Sequence, residues 1–231
     1  MLKARKKIVR KEIKQDKLVT TYFETKDWVN KQENRKKLFI TVGIIAFLVV
    51  AVIYYVNYKK RLNNEAEGKL FSAISLYEQG MYQKAMDGDD SLRIQGFREI
   101  INSYGSTENG NIAKFYLANC LYYLKDYDNA LSNYEDYSGS NVYLKASSLA
   151  GIGAVYEAKG DPKKAAEYYE KSTKVNKDLV LNQENLFYAL RCYSHSGDRE
   201  NAKRLYLILK DVYPKSSYIS EVKRFESEFL N

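Results

Sequence analysis

Proline is almost missing from this chain: Pro162 and Pro214 are its two prolines in 231 residues. Everything before position 162 can therefore be helical without a built-in break. Cysteine is equally scarce. Cys120 and Cys192 stand apart with no CxxC spacing, and the single histidine, His195, completes no metal-ligand pattern with them. Both cysteines read as small apolar core residues, and no metal site is expected. Phosphate loops, GxSxG and HExxH are absent as well. The three aspartates of DGDDS, Asp87, Asp89 and Asp90, lack the closing glutamate of a calcium loop and read as an acidic turn. With no catalytic constellation, the chain reads as a non-enzyme with no cofactor and no small-molecule substrate.

Net charge is missing too, outside one segment. Residues 1–37 hold 13 Lys/Arg against 5 Asp/Glu, and the remainder holds 24 of each. The formal charge of +8 is thus the property of an N-terminal arm. A neutral main body excludes a nucleic-acid-binding domain. A basic arm suits the anionic face of a membrane and the positive-inside rule.

What is abundant is apolar and aromatic. Leu38 to Val56 reads LFITVGIIAFLVVAVIYYV, 19 residues without a charge or a proline. As a helix it spans about 28 Å, close to the hydrocarbon thickness of a bilayer. Tyr54, Tyr55 and Tyr58 lie at its far end, where an aromatic belt belongs. The preceding 37 residues are too long for a signal-peptide n-region, and YYVNYKK offers no small-residue cleavage site. The segment is expected to stay as a transmembrane anchor. Its 13 preceding basic residues, against Lys59, Lys60 and Arg61 behind it, place the N-terminus in the cytoplasm and the rest outside. In the arm, Val9, Ile13, Leu18, Tyr22, Phe23, Trp28 and Val29 fall among the basic residues, with Ile13, Leu18, Tyr22 and Val29 near one helical stripe. A surface-lying amphipathic helix, a docking element and a plain topology signal all fit.

The remaining chain repeats itself. KFYLANCLYYLKDYDNALSNYEDY from Lys114, LAGIGAVYEAKGDPKKAAEYYEKS from Leu149 and LFYALRCYSHSGDRENAKRLYLIL from Leu186 align without gaps. Each has a turn signal (Lys125-Asp126, Gly160-Asp161, Gly197-Asp198), then an alanine (Ala130, Ala165, Ala202), then a tyrosine four residues later (Tyr134, Tyr169, Tyr206). The alanines are 35 and 37 residues apart, near the period of about 34 in tetratricopeptide (TPR) repeats. Small residues permit two antiparallel helices to touch; Gly153 is expected to face Ala165. Leu190 departs from the small type of Ala118 and Gly153. An earlier copy, LFSAISLYEQGMYQKAM, is interrupted by DGDDSLRIQG and resumes as FREIINSY. Tyr218, Val222, Phe225 and Phe229 share one face of a capping helix.

The expected fold is all-α: one transmembrane helix, then a TPR-type solenoid of about four helical hairpins and a C-terminal cap. The boundaries are 1–37 for the arm, 38–58 for the span and 59–231 for the repeats, which lie near 66–104, 111–138, 146–176 and 183–214, with the cap at 216–230. In such an array the first helices line a concave face. Tyr77, Asn119, Tyr122, Tyr123, Glu157, Phe187 and Arg191 map there and are the candidate partner-binding residues. Tyr122 and Tyr123 are adjacent, so at most one is expected to point fully into the groove.

This layout resembles the bacterial single-pass TPR proteins related to the ancillary subunit of the Sec translocon. The most similar stretches are DKLVTTYF before the span and GFREIINSYGSTENGNIAKFYLANCLYYLKDYDNAL after it. The resemblance implies an adaptor in the bacterial inner membrane, contacting translocon subunits, periplasmic chaperones or emerging envelope proteins; the apolar run itself is expected to meet membrane lipid through residues 38–58. A structural partner of cell-wall or cell-division machinery would use the same repeats.

Overall fold

The computed structural model describes residues 17–230, with side chains from Thr20 onward. Val9, and Ile13 of the arm's apolar stripe, lie outside the described residues, as does the side chain of Leu18. The chain forms two compact units, the first ending at Tyr58 and the second beginning at Lys59.

In the first unit, α1 (Lys17–Asn30) leaves Tyr22, Phe23 and Trp28 exposed. Helix α2 (Gln32–Glu78) follows and carries the apolar run. That run is long and apolar enough to cross a membrane, and none of its most apolar window is covered by protein. Phe39, Phe47 and Tyr54 are each more than 70% exposed (74%, 72% and 73%). A soluble core helix of this composition would be covered by its neighbours.

The second unit is a stack of helical hairpins. The end of α2 supplies the first helix, burying Ala66, Leu70, Ala73 and Leu76 at steps of three and four residues. Its partner helix is broken in two. α3 (Tyr82–Asp87) stops at Gly88, whose φ of 100° few other residues adopt. A small antiparallel hairpin follows, β1 (Gly88–Asp89) with β2 (Ile94–Gln95), and α4 (Phe97–Tyr104) resumes the packing through Phe97 and Ile100. The DGDDSLRIQG insertion is thus a β-hairpin within an otherwise helical unit. Asp89 organises its turn, accepting from Lys84 Nζ at 2.8 Å and from the Ser91 and Leu92 amides at 3.0 and 3.3 Å. Hydrogen bonds from Lys84 and Ser91 hold its carboxyl down at about 2.

Three regular hairpins follow: α5 (Glu108–Tyr123) with α6 (Tyr127–Glu135), α7 (Val142–Ala158) with α8 (Pro162–Thr173), and α9 (Asn182–His195) with α10 (Arg199–Val212). One turn recurs between the helices of each pair. Lys125, Gly160 and Gly197 all have positive φ (63°, 79° and 78°). The next residue's amide reaches back five positions: Asp126 to Leu121, Asp161 to Tyr156 and Asp198 to Tyr193. That aspartate then caps the second helix, accepting from the Asn129, Lys164 and Asn201 amides. Pro162 takes the first helical position, and α10 ends before Pro214.

Within a hairpin the helices meet at the small residues. A Cβ on Gly153 would lie 3.1 Å from the Ala165 carbonyl oxygen and 3.0 Å from the Tyr169 ring, and Ala130, Ala165 and Ala202 are fully buried. Leu190, at the same register as Gly153, is also fully buried, so the last hairpin holds a large side chain where the others hold a small one. The cap differs from the single helix expected. It is two short pieces, α11 (Tyr218–Val222) and α12 (Ser227–Leu230), joined by tight turns with bonds such as Phe225 N–H to the Val222 carbonyl. The apolar stripe still closes the core: Val222 and Phe229 are buried, and Tyr218 and Phe225 pack beside them.

Candidate functional site

Tyrosines dominate the surface formed by the first helices. Tyr77 on α2 and Tyr116, Tyr122 and Tyr123 on α5 are joined by Tyr82 and Tyr127, the first residues of α3 and α6. Tyr82 and Tyr123 stack with centroids 4.5 Å apart, and Tyr77 lies 5.2 Å from Tyr116 and 6.3 Å from Tyr123. Tyr122 packs edge-on to Tyr123 at 5.8 Å and against Tyr127 at 5.7 Å. Tyr123 is 53% exposed while Tyr122 is half-buried. Of the adjacent pair, one side chain therefore faces outward and the other supports it. Burial and the neighbouring tyrosine hydroxyls push the Tyr77 hydroxyl well above its usual range, so it stays a neutral donor.

A second, charged group lies further along the array. Arg191 Nη2 on α9 meets Glu157 Oε1 on α7 at 2.6 Å, and the Tyr169 hydroxyl donates to Glu157 Oε2 at 3.1 Å. The guanidinium lies over the Tyr188 ring, 5.0 Å from its centroid, which fixes the plane of its fork. Two candidates 34 positions apart in sequence thus form one half-buried ion pair that links successive hairpins.

The other candidates are placed differently. Asn119 is committed to the fold: its Oδ1 accepts from the Tyr134 hydroxyl at 2.6 Å, satisfying a buried phenol. Phe187 is a correction. It is only 6% exposed, stacked on Tyr218 at 5.0 Å and against Phe225 at 6.3 Å, because the cap folds over this end of the array. It belongs to the core and not to an open groove. Sequence reasoning missed Tyr82, Tyr116, Tyr127 and Tyr188. Tyr82 and Tyr127 each stand two residues after the positive-φ turn residue, Gly80 or Lys125, and that shared offset could have placed them together.

Comparison with known proteins bears on the fold. Residues 111–178 match the family profile described as Tetratricopeptide repeat. Two structures of a kinesin-light-chain-type protein from Podosopora anserina, with nearly identical TPR-like repeats, superpose at a TM-score of 0.52. They are 12% identical and cover 72% of this chain and 88–89% of theirs. The fold is a TPR array. A structure of pilF from Pseudomonas aeruginosa covers 70% of this chain and 98% of its own at 17% identity, with a TM-score of 0.30. No curated protein sequence matches the chain. TPR arrays are protein-interaction scaffolds, and their stacked hairpins create extended concave surfaces for that purpose.

Proposed function

We propose that this chain is a membrane-anchored interaction scaffold whose TPR array holds other proteins through the tyrosine patch and the Glu157–Arg191 pair. The observation that carries the reading is the patch itself. Six tyrosines are in ring contact across two hairpins, with Tyr123 left half open to solvent. Tyrosine and arginine combine large contact area with a polar tip, and both are enriched where binding energy concentrates.

The anchor reading rests on the uncovered apolar run of α2 and the concentration of basic residues before it. With the array outside a bacterial inner membrane, its partners are envelope proteins. The resemblance of DKLVTTYF and the GFREIINSYG stretch to translocon-associated TPR proteins points to translocon subunits, chaperones or emerging clients. A photo-crosslinking amino acid at Tyr123 in living cells tests this. Adducts with translocon subunits or their clients are expected, and adducts confined to cell-wall or division proteins would reject the translocon assignment. Tyr123→Ala with Arg191→Ala should weaken capture about ten-fold, which is about 1.4 kcal/mol. Undiminished capture by a folded double variant would remove this face as the working surface.

A further inference from the structure

The second helices α8 and α10, with the start of α9 and the loop before it, enclose a cleft of about 410 Å³ that contains none of the residues discussed above as partner-binding. Its floor is aliphatic, from Leu186, Leu205 and Ile208, and Val212 at its end is 61% exposed. Its rim is cationic. Lys174 and Arg204 both contact Glu170, at 2.8 Å each, and the Tyr193 hydroxyl adds a third bond to that carboxylate. Lys177 lies on the same rim, exposed and without an ion pair among the described residues. Three cations against one carboxylate leave a positive surplus beside an apolar trough.

Asn182 supplies an independent sign of a missing partner. It is 2% exposed and lines the cleft. Its Nδ2 is committed to the carbonyls of Asn176 and Lys177, at 2.8 and 3.1 Å, which fixes the orientation of the amide. Its Oδ1 has no donor. A buried acceptor left unmatched is costly and marks a place where a donor belongs.

We propose that this cleft is a second docking site, which takes a segment of a partner protein bearing large apolar side chains flanked by carboxylates. The apolar side chains fill the floor, the carboxylates meet Lys177 and Lys174, and a backbone N–H of the segment serves Asn182 Oδ1. A fatty acid would match the floor and the rim but brings no donor to Asn182, which favours the peptide. The site is separate from the tyrosine patch, so the array can hold two segments at once.

The test uses the full chain in nanodiscs of zwitterionic lipid and a fluorescent amphipathic peptide with leucines on one face and glutamates beside them. A second peptide has lysine in place of each glutamate. The glutamate peptide is expected to bind and the lysine peptide to bind far more weakly. Lys177→Glu with Val212→Asp, both exposed positions, should weaken the first about ten-fold or more. Lys163→Glu, on α8 but outside the cleft, should leave binding unchanged. Equal binding of both peptides, or full binding by the double variant, overturns the proposal. So does binding lost through Tyr123→Ala instead, which would assign the peptide to the tyrosine patch. Binding of sodium oleate that depends on Lys177 and Val212, without peptide binding, would make the cleft a lipid site and also reject it.

Discussion

Glu170 is buried, and burial alone would raise its pKa. Hydrogen bonds from Arg204 and Lys174 outweigh that and hold the carboxyl below its ordinary value of 4.5. A carboxyl depressed in the folded state contributes stability above its unfolded pKa and loses it as pH falls through the folded one. The wild type should therefore exceed Glu170→Gln in stability at pH 7, by about 1–2 kcal/mol, and the gap should shrink at a pH well below 4.5. Thermal melts at the two pH values check this, and a gap independent of pH would show that the carboxylate acts through shape alone. The two cysteines are a contrasting case. Burial pushes both thiols up to about 12, so Cys120 and Cys192 stay protonated and shielded. Sequence scarcity alone pointed to that core role; the charge network around Glu170 was not legible, because it joins α8, α9 and α10 across 34 positions.

At the scale of elements, the turn between paired helices was the most readable feature, since its chemistry is local. Glycine with positive φ and aspartate as cap are both set by neighbours within five residues. One turn uses Lys125 where the others use glycine, and an L-residue in the left-handed region is strained. Lys125→Gly should relieve that strain, offset in part by the greater freedom glycine has when unfolded. A net stabilisation of about 0.5–1 kcal/mol is expected, read as a higher urea midpoint with an unchanged slope. A loss of stability would mean that the lysine side chain packs usefully despite its backbone. The hairpin inside the first repeat and the broken cap were harder to foresee. The acidic run DGDDS signals a turn, but the pairing of Gly88 with Gln95 depends on how α3 and α4 both reach the same core. In the cap, an apolar stripe at helical spacing is compatible with a continuous helix and with two tight turns alike. The Phe187 placement failed for a related reason: repeat register says which face a residue is on, while only tertiary packing says what covers that face.

At the scale of the whole molecule, the sequence bears on orientation through one asymmetry. Thirteen basic residues precede the apolar run and three follow it directly, while the array beyond is neutral. Moving the arm across a membrane would carry that charge with it, whereas the neutral array presents no such barrier. The expected arrangement has the arm in the cytoplasm and the array outside. Cysteine labelling can decide it cleanly, because both native thiols are buried and give little background with a membrane-impermeant maleimide. Thr25 and Ser106 are exposed positions on opposite sides of the apolar run in sequence. The Ser106 carbonyl, which accepts from Lys59 Nζ at 2.7 Å, is retained when only the side chain changes. In right-side-out spheroplasts, Ser106→Cys should label at once and Thr25→Cys only after permeabilisation. The opposite pattern would put the array in the cytoplasm and remove envelope proteins from its partners. Labelling of both positions before permeabilisation would mean that α2 does not span the membrane, and that its uncovered apolar surface is buried by some other means.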